Sequence, residues 1–510
     1  MHNHPAYRSF AYFSRSLLEE ITMHLARIRF HPLATVFLLL LSACTVQVDA
    51  QAAKPDTTVF EGARLITGDG SAPIENSAFV VVGNVFTQVG RRGELRAPAG
   101  AAHVDLSGKT VMPALIDLHG HIGYQNIIKG TMSKAFYTRQ NLIDHLQRLA
   151  YSGVSAIVSI ADLEDRSDLH GGRTNWGDVP LQVRAEVIPN AALFKTAGVG
   201  IAWPGSGPQG DPSRVDVPYP VSTVEEARKA VDDYVRMKPE FVKIWVDDRG
   251  GTKKTLTPPL YRAIIEEAHK YNVPVAAHNV TLADAKELIR AGDEGWLHVP
   301  VRGGDAVDNE VISLVKQRVA NNDRPNMWMT PALITAWMDT QGGGKRPAWL
   351  DDPLLQALYS PEQIEEDWGR PLAKRTPKEV ETAQQDFKLQ ASNAMKLRAA
   401  GIRVVSGTDT GQNRFWIGYF NHLDLESMVA MGLTPSQAIV AATSDSAKIA
   451  RVNAGMVATG KSADFIVLDA NPLESIGNTR RIDEVYLRGA KVDRAALKAK
   501  WQALRNKKAN

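Results

Sequence analysis

Between residues 111 and 454, apolar runs of strand length alternate with amphipathic helical stretches eight times over. The runs are VMPALIDLHGH, VSAIVSIAD, LQVRAEVIP, FVKIWVDD, VPVAAHNV, GWLHVP, MWMTPALI and IRVVSGTDTG. Helical stretches such as NLIDHLQRLAYSG, VSTVEEARKAVDDYVRM and PPLYRAIIEEAHKY lie between most of them. Strands that are apolar almost throughout are strands covered on both faces, as in a parallel sheet dressed with helices. The pattern predicts an α/β protein, a parallel (β/α)8 TIM barrel. A doubly wound open sheet is the alternative, but no Gly-rich phosphate loop follows the first strand, which counts against a nucleotide-binding version. Residues 57–110 and 455–495 have a different texture, short β-rich runs broken by Gly and Asp. They predict a small β-sandwich domain built from both flanks of a barrel spanning 111–454. Residues 335–380, with QGGGKRPAWLDDP and DWGRPLAKRTP, form a long connection after the seventh strand, a lid or a surface excursion at the C-terminal face. A chain of 510 residues is long enough for such a core and an appended domain.

The first 43 residues have another character. Arg27 and Arg29 precede the apolar stretch LATVFLLLLSA and then Cys44, the single cysteine of the chain. That order, charged, apolar, then small residues, is a secretory signal, too short to span a bilayer comfortably. The LSAC ending resembles a bacterial lipoprotein box, in which the cysteine is lipidated and becomes the mature N-terminus. A plain signal peptide with a free Cys44 is the alternative reading. Met23 gives a more usual signal length than Met1. Residues 44–56 read as a tether, and the mature protein is expected in the periplasm or anchored to a membrane. With one cysteine, no intramolecular disulfide forms. The formal charge of +3 falls to +1 once residues 1–43, with four arginines and two glutamates, are removed. No basic run or aromatic-basic stripe points to nucleic acid.

The chemistry-bearing residues sit where barrel active sites lie, at the C-terminal ends of the strands. The first strand ends in His119-Gly120-His121, and alternation along a strand sends both imidazoles to one face. Alone, the dyad is either half a metal site or two polar residues at a strand exit. Lys243 lies in the fourth run, His278 near the end of the fifth, His298 near the end of the sixth and Asp409 at the end of the eighth. Four histidines, a lysine and an aspartate on one rim weigh the dyad toward metal. Lys243 is costly to bury charged. Desolvation beside a metal favours its neutral amine, which captures carbon dioxide as a carbamate able to bridge two cations. A lysine reaching the barrel mouth, or paired with Asp247 or Asp248, is the structural alternative. Arg173 and Arg249 are candidates to clamp a substrate carboxylate, or are solvated loop arginines. Tyr124 and His422 are pocket residues, or a packing residue and a helix cap.

VMPALIDLHGH, FVKIW, AAHN, WLH, GTDTG and the C-terminal GKSADFIVLDANPLESI together resemble the amidohydrolase superfamily across nearly everything after the tether. The nearest branches in character are the imidazolonepropionase-like members and the Xaa-Pro and Xaa-Arg dipeptidases. The resemblance implies that His119, His121 and Asp409 hold a buried metal, that His278 and His298 hold a second, and that carboxylated Lys243 bridges them. Zinc is the default ion, with iron, manganese or cobalt as alternatives, and a one-metal site is the other arrangement. It implies hydrolysis of an amide or related C–N bond (a dipeptide, an N-acyl amino acid or a cyclic amide) by a metal-activated hydroxide. Asp409 then carries the proton to the leaving nitrogen, and His298 orients Asp409. A lactone or ester hydrolase with the same site is one alternative, and a non-catalytic surface-binding lipoprotein on this scaffold is another.

Overall fold

The computed structural model describes residues 56–162, 178–208, 217–301, 304–321, 327–412 and 414–509. The leader, the tether up to residue 55 with Cys44, and Arg173 lie outside the described residues. Eight strand positions follow one another in parallel: β1 (Leu115–Gly120), β2 (Val154–Ser159), β3 (Leu193–Thr196), β4 (Val242–Val246), β5 (Val275–Asn279), β6 (Gly295–Leu297), β7 (Trp328–Thr330) and β8 (Arg403–Val404). Between β3 and β4 the ladder passes through Ile201–Ala202, which continues the third strand and pairs with β4. Past β8, the chain returns to β1 through Leu118 N to Ser406 O (3.0 Å), Asp409 N to His119 O (2.7 Å) and His121 N to Thr410 O (2.7 Å). The architecture is the α/β barrel with flanking β-sheets that the alternation predicts. Helices α1 (Arg139–Tyr151), α2 (Asp178–Ala185), α3 (Val224–Val235), α4 (Pro258–Lys270), α5 (Leu282–Ala291) and α6 (Asn309–Asn321) follow the strands. Among the described residues no helix is long and apolar enough to cross a membrane.

Two strand assignments differ from expectation. LQVRAEVIP is not the third strand; its first residues form the end of α2. The alternation there is not a buried face, since Val183 is buried but Val187 is 68% exposed, and the short run LFKT takes the barrel position. VMPALIDLHGH is two strands rather than one. Thr110–Pro113 pairs antiparallel with Phe465–Leu468 in a flanking sheet, and β1 begins one residue later. That five-stranded flanking sheet sets residues 64–65 and 110–113 beside strands from residues 465–491, and a four-stranded sheet from residues 57–105 faces it. Phe60, Phe79, Phe86, Phe465 and Tyr486 interlock between the two, with Phe465 stacked on Tyr486 at 4.6 Å.

The connection after β7 is packed, not an excursion. Short helices carry Trp349, Leu354, Leu358, Ile364, Trp368 and Leu372 into the main core. They tie to the segment after β8: Trp416 Nε1 donates to Asp367 Oδ2 (2.8 Å), Trp368 Nε1 donates to Arg414 O (2.7 Å), and the Arg414 guanidinium lies over the Trp368 ring. The insertion leads into helix α7 (Pro377–Ala400), started by a Thr376–Glu379 capping box and ended by Gly401 in the left-handed region. Helix α8 (Tyr419–Met431) follows β8.

Candidate active site

Alternation along β1 and just beyond it brings Asp117, His119 and His121 to one side. Asp117 is fully buried and works as a clamp. Its carboxylate accepts from His119 N (3.0 Å), Thr408 N (3.2 Å), Thr408 Oγ1 (2.6 Å) and Asn421 Nδ2 (2.9 Å). One side chain thus holds together the backbones that carry His119 and Asp409. Burial raises the Asp117 pKa, against the pull of these donors.

Asp409 Oδ1 lies 2.9 Å from His121 Nε2 and 3.4 Å from His119 Nε2. One ligand atom from each of the three residues falls within a 4.8 Å cluster. The His121 ring is oriented through its other nitrogen: Nδ1 is 2.7 Å from the Ile160 carbonyl, which can only accept, so Nδ1 carries a proton while Nε2 faces the Asp409 carboxylate. The Nδ1 of His119 is buried with no hydrogen-bond partner in the structure. Burial holds the His119 imidazole well below the ordinary histidine pKa, keeping it neutral. Gln412 donates to Asp409 Oδ1. Asp409 and His298 both have positive φ, 58° and 115°, a backbone conformation that costs energy and concentrates at functional sites.

The remaining predicted residues come to the same place. A cavity of about 180 Å³ is lined by His119, His121, Lys243, His278, His298 and Asp409, with Trp245, Arg249, Gln412 and Pro208. The His298 ring lies 5.0 Å from that of His119 and 4.9 Å from that of His278. Lys243 is 1% exposed, so it does not reach out to the mouth, and its Nζ lies 4.9 Å over the Trp245 ring. A second cavity of about 740 Å³ adjoins the first, sharing His298 and Asp409. The insertion and the start of α7 wall it with Thr335, Asp339, Arg375, Lys378 and Glu379, and Phe415 closes the β8 side. Arg375 and Asp339 pair across it at 2.6 Å.

The weaker candidates have other partners, although Arg249 also lines the smaller cavity. Arg249 is engaged by protein: Nη1 lies 2.8 Å from Asp247 Oδ2 and Nη2 donates to Gly207 O at 3.0 Å. Asp247 Oδ2 also lies 3.0 Å from His278 Nε2. Burial raises the Asp247 pKa, but His278 and Arg249 outweigh it and hold it at about 2. Tyr124 is buried, bonded to Ala161 O at 2.5 Å and packed on Tyr137. His422 is neither pocket residue nor cap. It lies inside α8, with its two ring nitrogens near Thr479 Oγ1 (3.1 Å) and Ser152 O (2.9 Å). Sequence reasoning missed Asp117 and Gln412. Asp117 had a signal, a carboxylate in an apolar strand in phase with the dyad; Gln412 had none.

A rim of imidazoles and a carboxylate at the C-terminal end of a parallel barrel, beside a deep cavity, defines a hydrolase-type barrel site. The amidohydrolase family profile matches residues 110–492, and the chain belongs to that family. It is similar to the ochratoxinase of Aspergillus niger, 26% identical over 466 residues, covering 82% of each chain. Among solved structures it resembles a Xaa-Pro dipeptidase with methionine in its active site, at TM-score 0.63 and 20% identity, covering 86% of this chain and 99% of the other. It also resembles molinate hydrolase, at TM-score 0.64 and 18% identity, covering 87% and 96%.

Proposed function

We propose that this chain hydrolyses an amide or related C–N bond of a small molecule with two divalent metal ions, zinc by default. The observation that carries the reading is the 4.8 Å cluster of His119, His121 and Asp409 opening onto the larger cavity. The donors fit a cation: a neutral His119, a His121 whose Nδ1 is held by Ile160 O while Nε2 faces the cluster, and a carboxylate. In this reading His119, His121 and Asp409 would hold one ion, His278 and His298 would hold the other, and Lys243, as a carbamate, would serve both. Such ions, when bound, polarise a carbonyl and bring the pKa of water toward neutrality. Asp409 takes the proton of the attacking water on its carboxylate and returns it to the leaving nitrogen. Its backbone is held for this by Asp117 through Thr408, and its carboxylate by Gln412. The larger cavity receives the substrate flanks. Its volume suits a dipeptide or an N-acyl amino acid, in keeping with relatives named ochratoxinase and Xaa-Pro dipeptidase.

Two measurements test this. Lys243→Ala is expected to lose at least one metal per chain by elemental analysis, and unchanged content refutes the bridge. The metal-loaded protein is expected to cleave members of a panel of dipeptides, N-acyl amino acids and cyclic amides. Turnover of lactones alone assigns an ester hydrolase, and no turnover with no bound metal assigns a binding protein. The RIRFHPLATVFLLLLSAC segment further supports export with lipidation at Cys44. Mass spectrometry of the protein from its native membrane is expected to find an acylated Cys44 at the N-terminus.

A further inference from the structure

We propose that Asp247 is a positioning residue that selects which nitrogen of His278 faces a cation, and that Arg249 holds Asp247 to this task. The inference rests on the reading of His278 as a metal ligand. A carboxylate can only accept, so the imidazole nitrogen facing it, Nε2 at 3.0 Å, carries the proton. The lone pair of the neutral ring is then at Nδ1. Without Asp247 the two tautomers and the two ring orientations compete, and a cation has to select one of them on binding. The carboxylate is itself fixed. Arg249 Nη1 lies 2.8 Å from the same Oδ2, Arg249 N donates to Oδ1 at 2.8 Å, and Asp247 N donates to Thr255 Oγ1 at 2.9 Å. Arg249 adopts φ 55° to close this loop, and Gly207 O holds its other Nη. Asp247 is 4% exposed, so water competes little for these bonds. Arg249 therefore acts on a ligand-holding carboxylate rather than on a substrate. Partners of this kind, hydrogen-bonded to the far nitrogen of a metal-binding histidine, change metal affinity by about 10–100-fold when removed.

The test uses the full chain, stripped of metal and titrated with Zn²⁺, with bound metal counted by elemental analysis. His278→Ala is expected to lose one of two equivalents. Asp247→Ala is expected to weaken that same equivalent by about 10–100-fold and leave the other unchanged. Asp247→Asn, which keeps the volume and an acceptor oxygen, should fall between Asp247→Ala and the parent. Nitrogen-15 NMR of the metal-free protein supplies an independent readout. The parent should show His278 as the Nε2–H tautomer, and Asp247→Ala a mixture. Asp247 variants that match the parent in both affinity and tautomer, while His278→Ala loses its metal, overturn the positioning role alone. If His278→Ala keeps both equivalents, the ligand reading fails and this inference falls with it.

Discussion

His121 has two ring nitrogens, and the fold has already engaged one of them. Donation from Nδ1 to Ile160 O leaves Nε2 toward Asp409, so the ring enters the site with its orientation chosen. Asp409 stands in a strained conformation and shares its carboxylate with two imidazoles and Gln412. If it carries the proton, Asp409→Asn lowers kcat by at least about 10²-fold, the lower range for general acid–base groups, while most of the metal stays bound. Turnover near that of the parent refutes the role. A second residue-scale expectation concerns Gly200. At φ 76° a Cβ here would come 2.2 Å from the Trp245 ring and 3.2 Å from Lys243 Cγ. Gly200→Ala therefore destabilises the fold by roughly 1–3 kcal/mol, measured by chemical denaturation, and disturbs Lys243.

At the scale of elements, two helices carry buried histidines away from the cluster of His119, His121 and Asp409. His145 on α1 and His422 on α8 are held neutral by burial, at about 4 and about 3. Both folded values lie below the unfolded one, so the unfolded chain binds more protons as the pH falls. Their contribution to stability is complete above about pH 6.5 and is lost progressively as pH falls toward 4 and 3. Melting temperature is expected to drop across that window, less steeply in a His422→Gln variant. The insertion after β7 is an element whose sequence misleads. Gly, Pro and charged residues dominate QGGGKRPAWLDDP, yet its tryptophans and leucines are buried and its polar residues line the larger cavity. The reverse holds for LQVRAEVIP, where a strand-like alternation belongs largely to a helix. A two-residue period marks a strand only when both elements beside it bury that face, and here they do not.

For the whole molecule, the flanking sheets join the two ends of the described chain. Phe465, five positions beyond Gly460, stacks on Tyr486 of its own flank and meets Phe60 and Phe79 of the other flank edge-on. Phe465→Ala is expected to cost about 3–5 kcal/mol in chemical denaturation, as for a buried aromatic, with metal content unchanged in the folded protein. The alternation of apolar runs and helices by itself determined a parallel sheet covered by helices, because strands covered on both faces leave an apolar record, and the barrel was its leading form. The same record placed His119, His121, His278, His298 and Asp409 at or near strand ends and Lys243 within the fourth strand, since alternation and strand order are one-dimensional properties. Only the tertiary structure decided what each of these residues touches. Asp117 binding Thr408, Asp247 binding His278, and Trp368 binding Arg414 O join segments far apart in the chain. Hydrogen bonds of that kind depend on where the closed barrel brings its loops, and no local pattern of residues encodes that distance.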